Sequence, residues 1–128
     1  MRLRTLAPIL LLLAGLQLPG TASAVEYVEL TPSFVGTIGP GPRIQYLRVD
    51  VALRASSAEA VSRIEHHDPL IRNTLVSLFA RQTAEDLASM QGKEALRSEA
   101  LEQVRAVLEA EEGQALVSDL LFTNLLTQ

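Results

Sequence analysis

HDPLIRNTLVSLFARQTAEDLASMQG, residues 67–92, is the stretch on which the reading of the fold turns. Its first half predicts an amphipathic helix with a marked start. Asp68 has the short acceptor side chain of a helix cap, and Pro69 at the first helical position gives up an N–H that has no helical partner there. Leu70, Ile71, Leu75, Leu78 and Phe79 recur at helical spacing and form one apolar stripe, with Arg72, Asn73, Ser77 and Arg81 on the other face. Thr83, with Asp86 three residues on, predicts a second capped turn. Gly92 after Met90 reads as a left-handed stop. A helix with a single apolar stripe has to bury it against another layer.

That layer is legible upstream. Residues 25–38 predict a strand, with Val28, Leu30 and Phe34 on one parity and Tyr27, Glu29, Thr31 and Ser33 on the other. Pro32 falls inside it and cannot donate to a ladder, so the strand is expected at an edge or interrupted there. GTIGPGP, residues 36–42, is dense in turn formers. Residues 43–54 give the cleanest alternation in the chain. Leu47, Val49, Val51 and Leu53 share one face, and Tyr46, Arg48, Asp50 and Ala52 share the other, as in a sheet covered on one side only. The two strands about a short Gly/Pro loop predict a β-hairpin.

Between the hairpin and the opening stretch, Ser56-Ser57-Ala58-Glu59 has the form of a capping box. It predicts a weakly amphipathic helix to about His67, bending into the next at Asp68–Pro69. Downstream, residues 93–111 carry Leu96, Ala100, Leu101, Val104, Val107 and Leu108 at helical spacing, ended by Glu111-Glu112-Gly113. ALVSDLLFTNLL, residues 115–126, is apolar on both parities and reads as a buried strand flanked by others. Asn124 would then be a buried or half-buried amide, either paired within the core and fixing register or making an interface contact. The order is β-β-α-α-β: an α+β fold with helices packed on one face of a small sheet.

The chain has 128 residues, and residues 1–24 stand apart from the rest. Arg2 and Arg4 precede an almost wholly apolar run, residues 5–18. Pro19-Gly20 follows, and Ala22-Ser23-Ala24 has the small-x-small form of a signal-peptidase site. The run falls short of the roughly 20 apolar residues that span a bilayer. A cleaved secretory signal is therefore expected, the alternative being a short uncleaved membrane anchor. Residues 25–128 then form one periplasmic domain. Without Arg2 and Arg4 it carries 9 basic and 15 acidic residues, a net charge of −6, which argues against nucleic acid and anionic lipid as partners. There is no cysteine, so disulfides and thiolate chemistry are excluded.

No catalytic, cofactor or metal site is expected. His66-His67-Asp68 is the only cluster with acid–base character, but neighbouring histidines diverge on a helix and no third ligand stands at zinc spacing. Ser77 and Thr74 nearby lie on a helix without a nucleophile turn. The prolines of GTIGPGP remove the N–H groups a phosphate loop would use. The five aromatics, Tyr27, Phe34, Tyr46, Phe79 and Phe122, fall at strand or core positions. The chain reads as a non-enzyme.

Four stretches taken in order resemble the periplasmic domain of the FliL family of flagellar basal body-associated proteins. They are YVELTPSFVGTI, IQYLRVDVAL, HDPLIRNTLVSLFARQTAEDLASMQGKEALRSEALEQV and LLFTNLLTQ. The matching positions are Tyr27, Tyr46-Leu47, Pro69, Ile71-Arg72, Thr83, Glu85-Asp86-Leu87, Gly92, Leu96-Arg97, Glu99, Phe122-Thr123 and Gln128. The resemblance implies a stomatin-type (SPFH-like) α+β domain and assembly into a homo-oligomeric ring. It further implies contact with the stator proteins MotA and MotB at the basal body, and an effect on torque and motility rather than on any covalent reaction. Members of the family are typically held in the inner membrane by one spanning helix and a linker. Here the leader has a cleavable form and the domain follows it directly, so a soluble periplasmic protein is expected, or one held tight against the bilayer. The alternative function is an SPFH-like scaffold for another envelope complex, with no flagellar role.

Overall fold

The computed structural model describes residues 25–39 and 43–128, together with Gly15. Apart from that glycine, the leader or anchor expected over residues 1–24 lies outside the described residues, as does the part of the Gly/Pro turn at 40–42. The elements are β1 (Tyr27–Ile38), β2 (Gln45–Ala55), α1 (Ala60–His66), α2 (Asp68–Ala80), α3 (Met90–Glu112) and β3 (Val117–Thr127). The expected β-β-α-α-β order becomes β-β-α-α-α-β, because a one-residue break at His67, just before the expected bend at Asp68–Pro69, separates α1 from α2. Three antiparallel strands in the order β1-β2-β3 form the sheet, and the helices supply the second layer of an α+β fold.

β2 is the central strand, and its period of two decides what is core. Leu47, Val49, Val51, Leu53 and Ala55 are buried beneath the helices. β1 contributes Val28, Leu30, Phe34 and Ile38 to the same face. Leu30 pairs with Val51 and Phe34 with Val49, so three residues of β1 stand against one of β2. Pro32 sits in this irregular stretch of an edge strand, where its missing N–H takes no bond from the ladder. The insertion is two residues long, so the apolar parity survives it.

β3 departs from the reading of a strand flanked on both sides. It is the other edge of the sheet. Apolar residues occupy both parities for a different reason: the register slips once between Asp50 and Val51, and again between Arg54 and Ala55. Each slip adds one residue to β3 and turns the following side chains over. Val117, Leu120, Phe122 and Leu125 thereby all reach the helix side, opposite Ala55, Leu53, Val51 and Val49. Asn124 stands opposite Asp50 on the open side and is exposed, contrary to the expected burial.

The helical layer follows its stripes. α2 buries Ile71, Leu75, Leu78 and Phe79, while Leu70 at the edge of the stripe is exposed. α3 buries Leu96, Ala100, Val104 and Leu108, each four residues from the last. Phe79 lies edge-on between Phe34 of β1 and Phe122 of β3, with ring centroids 5.3 and 6.0 Å away, and so joins the helix to both sheet edges.

Three local expectations are corrected at the helix ends. Asp68 does not cap α2: it lies in the first turn, the cap position is His67, and no side chain caps it. The box at Ser56–Glu59 does not form, because the Ser56 hydroxyl donates to the Leu116 carbonyl; Ser57 Oγ accepts from the Ala60 N–H instead. Gly92 is not a stop. It lies in the first turn of α3, where its N–H donates to Ser89 Oγ, and a Cβ there would fall 1.7 Å from the Asp86 carbonyl oxygen. Its reason is close approach of the 83–87 turn, which Thr83 and Asp86 close reciprocally as expected. Gly113, with φ of 73°, does end α3 in the left-handed conformation.

Candidate functional site

His66-His67-Asp68, the one cluster with acid–base character, falls at the α1–α2 junction. His67 Nε2 stands 2.7 Å from Glu112 Oε1 at the far end of α3. Arg63 of α1 donates to the same oxygen at 2.6 Å from Nε. First the Arg63 hydrogen bond and then that of His67 hold the Glu112 carboxyl below the ordinary value of 4.5. His66 packs edge-on against His67 with ring centroids 4.9 Å apart, and neither Ser77 nor Thr74 joins them. The Thr74 hydroxyl donates to the Leu70 carbonyl within α2. Among the described residues no three His, Cys, Asp or Glu side chains gather as a metal site. The junction is a clamp between helices.

A second clamp lies toward the other end of α3. Arg97 on α3 donates from Nη1 to Asp119 Oδ1 at 2.8 Å and to the Leu120 carbonyl at 3.0 Å, and from Nη2 to Glu94 at 2.5 Å. Glu94 is held below the ordinary carboxyl value chiefly by that hydrogen bond from Arg97. Arg105 donates to the Val117 carbonyl. Edge strand β3 is thus held to α3 by two guanidinium groups at its amino-terminal half, leaving its carboxyl-terminal half free of them.

The face of the sheet away from the helices is where the molecule is unfinished. Ala52 at its centre is buried, flanked in register by Glu29 and Leu121. Toward the β1–β2 turn, Val35, Arg48 and Leu126 lie directly across from one another on the three strands. Tyr46 precedes them on β2, between Thr37 and the terminal Gln128. Val35 is 70% exposed, Tyr46 52% and Leu126 43%. Ser33, hydrogen-bonded to Asp50 and within 3.3 Å of Arg48, supplies a polar border. An exposed apolar row with a central guanidinium has the composition that protein-contact surfaces show. Period two predicted the open side, but the register slips in β3 decide that Leu126 joins this row, and no spacing in the sequence announces them.

The family described as "Flagellar basal body-associated protein FliL" matches residues 27–128. "Flagellar protein FliL" of Aquifex aeolicus is 22% identical over 100 residues, 78% of this chain and 60% of that protein. The "Flagellar protein FliL" of Escherichia coli K12 is 31% identical over 91 residues, 71% of this chain and 58% of that protein. The protein of that name in Shigella flexneri matches to the same extent. The matched part spans about three fifths of the length of these relatives. The family is one of flagellar structural and accessory proteins, not of enzymes.

Proposed function

The chain belongs to the FliL family of flagellar basal body-associated proteins, and on that premise we propose that it acts by protein contact on the periplasmic side of the inner membrane, beside the stator units. The match over residues 27–128 carries this reading, since it takes in the three strands and three helices of the described residues. In this reading the partners are MotA and MotB at the basal body, the outcome is support of torque and motility, and the domain assembles as a homo-oligomeric ring of stomatin-like folds. The leader at residues 1–24 exports the domain or anchors it. The exposed row Val35, Tyr46 and Leu126 supports the reading, because it offers other proteins an apolar surface that the fold itself leaves uncovered.

The test is localisation of a periplasm-competent fluorescent fusion, carrying its own leader, in cells with labelled flagella. Foci at flagellar bases that vanish when the stator genes are deleted are the expected result. A diffuse signal from a functional fusion, with normal swimming after deletion of the gene, would overturn it.

A further inference from the structure

Gly36 has no ordinary reason to be glycine. It lies inside β1, where glycine weakens a strand. Its φ is not in the left-handed region, and a Cβ built on it would meet nothing within 4 Å. Neither backbone conformation nor crowding within the chain explains it. Its parity is that of Phe34 and Ile38, so its absent side chain belongs to the helix side of the sheet. There it leaves an apolar slot of about 160 Å³, bounded by Phe34, Ile38 and Leu47 of the sheet and by Val76, Phe79 and Ala80 of α2. Val76 is 53% exposed at its mouth.

The slot opens beside a strand edge with the right polarity to use it. Tyr46 exchanges both backbone hydrogen bonds with Gln128. In an antiparallel sheet the direction alternates along a strand, so Leu47 turns its backbone groups toward its β1 partner Gly36. The neighbours of Gly36, Val35 and Thr37, are left with N–H and C=O directed outward. Among the described residues nothing pairs with that side of β1. A strand that bonded to Val35 and Thr37 would place the residue opposite Gly36 on the helix side, at the slot.

The charge around the slot is the reverse of that of the whole chain. The net charge is −4, yet no acidic residue occurs from Pro69 to Ala84, while Arg72 and Arg81 do. The Arg72 guanidinium lies 4.2 Å from the centroid of the Phe34 ring, which is one wall of the slot. Its Nη1 is shut from solvent and has no hydrogen-bond partner among the described residues. A buried guanidinium nitrogen left unpaired is costly, and a carboxylate is the group that satisfies it best.

We infer that β1 receives an extended segment of another protein, which adds as a strand at Val35 and Thr37, seats one bulky apolar side chain beside Gly36, and brings a carboxylate two residues away to Arg72. The spacing follows from the sheet: the docked residue opposite Phe34 is two positions from the one opposite Gly36 and shares its face. This assignment does not depend on the flagellar reading, because it rests on β1, its register with β2, and α2.

The probe is the blocked peptide Thr-Asp-Thr-Leu-Thr-Asp-Thr, which presents the pattern in either strand direction, titrated into isotope-labelled protein to about 1 mM, a range suited to weak complexes. Saturable shifts centred on the amides of Val35, Gly36 and Thr37 are expected. Gly36→Leu fills the slot from within and should weaken the peptide at least about tenfold while the melting temperature holds or rises. Arg72→Gln should weaken this peptide but not its Asn-substituted counterpart. The assignment is overturned by absence of shifts at these amides, or by equal binding to Gly36→Leu. It is also overturned by the same shifts arising with protein concentration alone, which would make a second copy the occupant.

Discussion

The two faces of the sheet are built from the same three strands and do opposite things. On the helix side, β2 places Leu47, Val49, Val51 and Leu53 under α2 and α3, and all are buried. On the open side the same strand places Tyr46, Arg48, Asp50 and Arg54, and only Ala52 between them is buried. The difference teaches where stability resides and which face is left for contact. The covered face is packed through its centre, with Phe79 bridging both edges and clamps at Glu112 and Arg97, and the slot at Gly36 is left open on it. The open face ends in an apolar row that nothing within the described chain covers. Substitutions should therefore sort by face, with large losses of stability on one side and losses of contact without unfolding on the other.

Leu75→Ala is expected to show the largest effect. Leu75 is fully buried in the middle of the α2 stripe, and truncating a buried leucine costs about 2–5 kcal/mol. Denaturant unfolding measures it, and a loss below about 0.5 kcal/mol, the level of a surface change, would put α2 on the wrong face. Gly92→Ala comes next. The new Cβ collides with backbone rather than a mobile side chain, so about 1–3 kcal/mol is expected, as for overpacking. An unchanged melting curve would mean that the 83–87 turn does not lie against α3.

Acid should act on the helical layer. Glu112 and Glu94 have carboxyls held below the ordinary value of 4.5 by Arg63 and His67 and by Arg97. A depressed carboxyl contributes stability above its unfolded value and loses it as pH falls through the folded one. Stability should thus fall below pH 4.5, and Glu112→Gln should flatten that limb of a urea-unfolding series. Parallel curves for the two proteins through that window would remove Glu112 from the account. The smallest effect belongs to the open face. Tyr46→Ser and Leu126→Ser should each change stability by under about 0.5 kcal/mol, and a larger loss would show that this row packs within the fold.

Legibility in the sequence followed the same division. β2 and the stripes of α2 and α3 could be read because a single period governs each of them. β3 could be read as a strand but not as an edge, because two one-residue slips mix its parities, and a mixed parity reads as burial on both faces when it is an edge strand turned over twice. Caps were misplaced where a competing partner decided the outcome: Ser56 is taken by the Leu116 carbonyl, and Gly92 answers to the Asp86 carbonyl across the turn. Such long-range partners leave no spacing to read. The His67–Glu112 contact is of this kind, since 45 residues separate its members. The slot at Gly36 is legible only in part, since its glycine is plain in the sequence but the α2 wall beside it is not.

The central claim is that the covered face makes the fold while, as proposed, the open face makes the contact at the flagellar base. The most direct test replaces the chromosomal copy with the double variant Tyr46→Asp/Leu126→Asp and scores, in the same cells, protein level, foci at flagellar bases and swimming. The account predicts normal amounts of folded protein, loss of the foci, and swimming no better than that of the deletion strain. Foci and swimming like those of the parent, with the variant present at parental level, would contradict it.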